Sequence, residues 1–227
     1  MTIEVGRPAE LTVKHPEYYQ LPRAEMLPFV PREVSRVLEV GCGEGRFGLA
    51  IKQIRNAEVW GIETLPEAAQ QAAQRLDRVL LGDVERDHLE LPSEYFDCLI
   101  FNDVLEHLTY PWAVLRRLRD ALRTSGCVVA SIPNIRHYPT LKALVLHKEW
   151  EYTKDGILDR THFRFFTQKS IPKFFHDSGY ELIRMEGINP MGLSWKLKLA
   201  FRFLGSAMDD TRYQRFAVVA KPAPHGV

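Results

Sequence analysis

From Ser35 to about Pro133 short apolar runs alternate with amphipathic stretches. RVLEVG (36–41), EVWGIE (58–63), RVLLGD (78–83), FDCLIFND (96–103) and GCVVASIPN (126–134) predict five strands. Their nearly unbroken apolar character suits strands covered on both faces, as in a parallel sheet. Between them, GRFGLAIKQIR, PEAAQQAAQRL and PWAVLRRLRDALR predict helices, the last two opening with Pro66 and Pro111, where a missing N–H is harmless. Right-handed crossovers then put these helices on both faces of the sheet.

Beyond Asn134 the pattern breaks. Residues 135–166 are rich in His, Tyr, Trp and Phe without a steady period, as expected of an insertion lying over an active site. TQKSIPKFFHDSG then predicts a capped helix ending at Gly179, followed by strands YELIRMEGI (180–188) and RYQRFAVVAKP (212–222), which can pair antiparallel at one sheet edge. The connection at 189–211 holds an amphipathic segment, MGLSWKLKLAFRFLG, expected to pack on the domain or form a lid. HPEYYQLPRAEMLPFVP, within the 1–34 leader, predicts a short helix preceded by Tyr18, Tyr19 and Arg23. One α/β domain spanning residues 1–227 is the expected organisation.

Composition narrows the partners more than the fold. A net charge of +1 gives no field to recruit nucleic acid or anionic lipid, so a small-molecule partner is favoured. Cys42, Cys98 and Cys127 are far apart and make no CxxC, which suits a reducing cytoplasm. No apolar run approaches the ~20 residues of a membrane span.

The main chemical signal is VLEVGCGEGRFG (37–48), which sets Gly41, Gly43 and Gly45 at the carboxyl end of the first strand, where open α/β sheets bind ligands. Gly43, Gly45 and Gly48 also satisfy a dinucleotide spacing, so a nicotinamide-dependent oxidoreductase is an open alternative. The carboxylates argue against it. Glu39 lies beside the path a pyrophosphate would take and would repel it. Glu63 ends the second strand and can accept from both hydroxyls of a ribose, while Asp83 ends the third. A cofactor with a cationic amino group, a ribose and an adenine could use all three.

The set ExGxGxG, the strand-ending Glu63, GD at 82–83 and FDCLIFNDVLEHL resembles the class I S-adenosylmethionine-dependent methyltransferases. The resemblance covers about 36–134 and, with the closing strands, most of the chain. It implies a Rossmann-like seven-stranded, mostly parallel sheet with the last strand antiparallel, and S-adenosylmethionine as cofactor. It also implies that Glu39 and the backbone of Gly41, Cys42 and Gly43 hold the methionine part. Glu63 would bind the ribose with Thr64 and Leu65 beside it. Asp83 and Val84 would meet the adenine, and Asn102 would lie beneath the methionine through its carbonyl.

If 103–108 form a helical turn, Asp103, Glu106 and His107 face one side, with donor atoms for a divalent ion. This resembles the acidic-acidic-histidine set of the ubiquinone-pathway O-methyltransferases, with Asp103 for the usual glutamate. No metal is expected, because the aspartate arm is short and both acids also suit a helix N-terminus.

The methyl acceptor needs alignment and, if it is a hydroxyl, a base. Candidates are His162, His107 and Asp159 for catalysis, and Tyr19, Arg23, His137, Tyr138 and Arg160 for the acceptor. GILDRTHFRFFT (156–167) carries three of these residues, Asp159, Arg160 and His162, with Thr161 between them, and DRTHFRFFT resembles a methyltransferase subgroup found with bacterial surface-polysaccharide systems. The expected activity is methylation of an oxygen, less readily a nitrogen, on a small polar acceptor such as a sugar or glycoconjugate. A protein that binds the cofactor without turnover is the other alternative.

Overall fold

The computed structural model describes residues 23–192, 195, 199 and 205–224. Seven strands form one sheet: β1 (Arg36–Val40), β2 (Glu58–Glu63), β3 (Arg78–Leu81), β4 (Phe96–Asn102), β5 (Leu122–Pro133), β6 (Tyr180–Pro190) and β7 (Tyr213–Pro222). Their order is β3-β2-β1-β4-β5-β7-β6, with β7 antiparallel to both neighbours and the first five strands parallel. The expected Rossmann-like sheet is therefore present. The order reverses beside β1, so β1 and β4 splay their carboxyl ends around a crevice.

Strand periodicity divides the core in two. Leu38, Val40, Phe96, Phe101, Val128 and Ile132 pack on one face beneath α3 (Pro111–Leu118) and α5 (Ser170–Asp177). Val37, Val59, Cys98, Ile100 and Val129 pack on the other beneath α1 (Arg46–Arg55), α2 (Pro66–Ala72) and the 3-10 turn Ala24–Phe29. Each fully buried Phe, Ile or Leu contributes roughly 1.5–3 kcal/mol of transfer free energy, so helix placement follows from which side each strand residue points.

Several boundaries differ from the sequence pattern for local reasons. β5 begins at Leu122, inside the stretch expected to be helical, because Leu122 pairs with Phe96 across a bulge. β3 stops at Leu81, and Gly82–Asp83 turn instead, with Asp83 N–H donating to the Asp87 carboxylate at 2.6 Å. In α5, Thr167 and Ser170 cap reciprocally: the Ser170 N–H donates to Thr167 Oγ1 (3.1 Å) and the Thr167 N–H to Ser170 Oγ (2.9 Å). Gly179, at φ 85°, follows the helix end.

The insertion at 135–166 opens with α4 (Tyr138–Lys142) and a π turn, then folds back so that Phe166 bridges Asn134. The Ile135 N–H donates to Phe166 O at 3.0 Å, which returns the insertion to the end of β5. Tyr18 and Tyr19 lie outside the described residues, as does most of MGLSWKLKLAFRFLG; Trp195 and Leu199 within it are exposed. Among the described residues no helix is long and apolar enough to cross a membrane.

Candidate active site

The glycine loop leaves β1 by a tight turn. Gly41, Gly43 and Gly45 take φ of 67°, 55° and 76°, a region that L side chains rarely enter. A Cβ on Gly41 would also lie 2.7 Å from Val104. The loop then lies down on β2: the Gly41 and Cys42 N–H groups both donate to Ile62 O, and a Cβ on Gly61 would stand 2.5 Å from Cys42 Sγ. Burial pushes the Cys42 thiol up, and the Glu39 and Glu63 charges add to this, so it is an inert packing thiol.

Two buried carboxylates flank this loop. Glu63 is already knit to it: Oε2 accepts from Gly43 N–H at 2.8 Å, and Oε1 from the Thr64 and Leu65 N–H groups at 2.8 and 3.0 Å. Oε1 also accepts from Thr64 Oγ1 at 3.3 Å, so the room left for a hydroxyl is on Oε2, which receives the Gly43 N–H alone. Glu39 is 3% exposed, and its burial pushes its carboxyl up to about 8. The Gly48 backbone and the Asn102 amide pull the other way, and the Glu63 charge pushes it further up. The Asn102 amide lies near enough to ease the charge but not in hydrogen-bonding geometry. Glu39 Oε2 and both polar atoms of that amide are buried without a hydrogen-bond partner.

Orphaned buried polar atoms of this kind leave room for a ligand or water to be received, and a carboxylate beside an amide fits an amino group. Gly48 does not serve a phosphate: a Cβ there would meet Leu76 at 2.6 Å and Glu39 Oε2 at 3.0 Å. Asp83 lies further along the same rim, its side chain 30% exposed, with Oδ1 accepting from Glu85 N–H at 2.8 Å. Val84 beside it is buried.

A second cluster sits beyond β4. Asp103 takes φ 53° and is buried. This turns its carboxylate away from Glu106 and His107 and towards Arg23, Arg215 and Ser131. Its Oδ2 accepts from Arg23 Nη2 and, at 2.7 Å, from Arg215 Nε; Oδ1 accepts from Ser131 Oγ at 2.6 Å. Burial would push Asp103 up, but the two guanidiniums outweigh it and hold it below the usual carboxylate range. The expected one-sided set of Asp103, Glu106 and His107 therefore does not form. Residues 105–107 make a 3-10 turn, and His162 from the insertion takes the place expected of Asp103. Donor atoms of Glu106, His107 and His162 lie within 4.8 Å of one another.

The loop 156–167 packs directly on this turn. Phe163 and Arg164 N–H groups donate to Glu106 O at 2.8 and 3.1 Å, and the His107 and His162 rings meet edge to face at 4.6 Å. His162 Nε2 is 3.9 Å from Glu106 Oε1, and its Nδ1 lies 2.9 Å from Ile157 O. Asp159 Oδ1 accepts from Thr161 N–H (2.8 Å) and Thr161 Oγ1 (2.7 Å). Arg160 alone of the four polar residues 159–162 is exposed. Glu106, Asp159, His162, Ile157 and the Asp103–Arg215 pair line a small, partly open pocket.

His137 and Tyr138, half-buried at the start of α4, stand on the Arg215 side. Burial, then the Arg215 charge, lowers His137. Sequence reasoning passed over Thr161 as a linker and Arg215 as a site residue. Only an arginine inside the apolar run of β7 hinted at the latter.

The family model for a methyltransferase domain matches residues 14–185. A ubiquinone biosynthesis O-methyltransferase of Cereibacter sphaeroides is 26% identical over 176 residues, 74% of this chain and 70% of the relative. A malonyl-[acyl-carrier protein] O-methyltransferase of a Paenibacillus is 30% identical over 102 residues, 41% of this chain and 37% of the relative. Among solved structures, a SAM-dependent methyltransferase from Archaeoglobus fulgidus superposes with TM-score 0.67 at 18% identity, covering 89% of this chain and 94% of the other.

Proposed function

The chain belongs to the methyltransferase-domain family, and from that premise we propose that it methylates an oxygen of a small polar acceptor such as a sugar or glycoconjugate. The observation that carries this reading is the adjacency of two sites. A buried Glu39 carboxyl oxygen and the Asn102 amide, without hydrogen-bond partners, lie at the ends of β1 and β4, and the next turn brings Glu106 and His107 against His162 of the insertion beside a pocket.

In this reading Glu39 holds the donor's ammonium, and the backbone at Gly41, Cys42 and Gly43 follows its methionine part. Glu63, with Thr64 and Leu65, takes the ribose hydroxyls; Asp83 and Val84 flank the adenine; Asn102 supports the methionine moiety. When bound, S-adenosylmethionine supplies a methyl on a sulfonium, with a neutral thioether as leaving group.

The chain's own residues then have to align the acceptor and remove its proton. His162 and His107 supply basic nitrogens, and Asp159 fixes the loop that carries His162 and packs on His107. His137, Tyr138 and Arg160 bound the acceptor side, with Tyr19 assigned there as well. Arg23 serves it through Asp103, since its guanidinium is engaged by that carboxylate. A cavity lined by carboxylates and imidazole suits an acceptor that donates hydrogen bonds, which favours hydroxyls over carboxylates or phosphates. The names of the Cereibacter and Paenibacillus relatives point to oxygen as well.

Matched alcohols and amines of one sugar skeleton test the proposal. Demethylated donor should be released with the alcohol and not with the amine. Release with the amine alone overturns oxygen as the target.

A further inference from the structure

We infer that Thr161 is a positioning residue that links Asp159 to His107 and fixes which nitrogen of His107 carries its proton. The inference rests on the acceptor-side reading above, in which His107 offers a basic nitrogen. Its grounds are donor and acceptor bookkeeping around one hydroxyl.

A threonine hydroxyl has one proton to give. Thr161 Oγ1 lies 2.7 Å from Asp159 Oδ1, which also receives the Thr161 backbone N–H at 2.8 Å, so the carboxylate is the acceptor and the hydroxyl proton is committed to it. The same Oγ1 lies 3.0 Å from His107 Nδ1 and can only accept there. The Thr161 carbonyl, 3.1 Å from that nitrogen, can only accept too. Both contacts therefore require a proton on Nδ1, and neutral His107 keeps its lone pair on Nε2.

The neighbouring ring is set by the same logic through a different partner. His162 Nδ1 faces the Ile157 carbonyl at 2.9 Å, so its lone pair also sits on Nε2. The two edge-to-face rings beside Glu106 thus share one tautomer, fixed by two residues of the same loop, Thr161 and Ile157.

This arrangement also serves the proton transfer. When an acceptor O–H gives its proton to Nε2 of His107, the oxygen keeps the electron pair that forms the new bond to carbon. The imidazolium so formed retains its Nδ1–H on Thr161, one hydroxyl from the Asp159 carboxylate. Thr161 is thus the path by which a buried negative charge on Asp159 supports a positive ring on the turn after β4.

The test reads the ring itself in the full chain, with 15N-labelled histidine, His107 assigned through His107→Gln, and no acceptor added. Wild type should show a protonated Nδ1 and an unprotonated Nε2 at high pH. Thr161→Val keeps the shape and the backbone carbonyl that holds Nδ1–H, and removes the hydroxyl link to Asp159; it should keep the tautomer and move the His107 titration down by about one pH unit. Thr161→Ser should restore the wild-type titration. A wild-type Nε2–H tautomer, an unchanged titration in Thr161→Val, or a serine variant that behaves like valine would overturn the inference. Full turnover in His107→Gln would instead sink the acceptor-side reading and leave the tautomer result standing.

Discussion

Donor binding should expel a proton, and the source is Glu39. Burial holds its carboxyl up to about 8, so at pH 7 about nine in ten molecules carry the protonated form. An ammonium placed against Glu39 stabilises the carboxylate, so binding at pH 7 should release about 0.9 protons. Below pH 8 the apparent Kd should fall about tenfold for each pH unit gained, as ionising Glu39 becomes easier. Calorimetric titration of S-adenosylmethionine in two buffers of different ionisation enthalpy reads the proton count directly. Glu39→Gln, which cannot ionise, should abolish the release and flatten the pH dependence.

The same group sets a stability trend in the unliganded protein. Its folded-state value lies above the unfolded one, so the native state binds the extra proton, and stability is lost as pH rises from about 4.5 to about 8. The full loss is on the order of 5 kcal/mol. Glu39→Gln should remove that slope. No proton release from wild type at pH 7, with tight binding, would refute the reasoning by showing that Glu39 is already ionised.

Three further outcomes follow from the packing and the ion pairs. Gly61→Ala should lower the unfolding free energy by about 1–3 kcal/mol and weaken donor binding, because its methyl would displace Cys42 and the loop; unchanged calorimetric affinity would separate that loop from the donor. Arg215→Met should cost about 3 kcal/mol or more at pH 7 by leaving Asp103 short of a partner. Asp103 is held low in the fold, so the stability it adds is present at neutral pH and lost as pH falls below the usual carboxylate range; urea midpoints for variant and wild type should converge there, and parallel curves would contradict the pairing. His162→Ala should leave calorimetric donor affinity nearly unchanged and lower turnover about a hundredfold; equal turnover would remove His162 as a base.

The sheet and donor loop were legible in the sequence because their determinants are local. Strand periodicity, the glycines at 41, 43 and 45, and carboxylates at strand ends need no distant partner to be recognised. The acceptor side was less legible because its geometry is made by contacts across the chain. Asp103 is pulled from the Glu106–His107 side by Arg23 and Arg215, 80 and 112 positions away. Leu122 becomes strand through pairing with Phe96, against a helical reading of its neighbours. The loop at 156–167 has no period to read, yet hydrogen bonds to Glu106 and His107 give it a fixed place.

The most direct test of the account is transfer itself. The enzyme, a deuterated-methyl donor and an extract of the source cell are incubated together, and labelled products are located by mass spectrometry. One small polar product bearing the labelled methyl on oxygen is expected, with loss of label in Glu39→Gln and His162→Ala. A donor that binds while no molecule in the extract gains the label would contradict it.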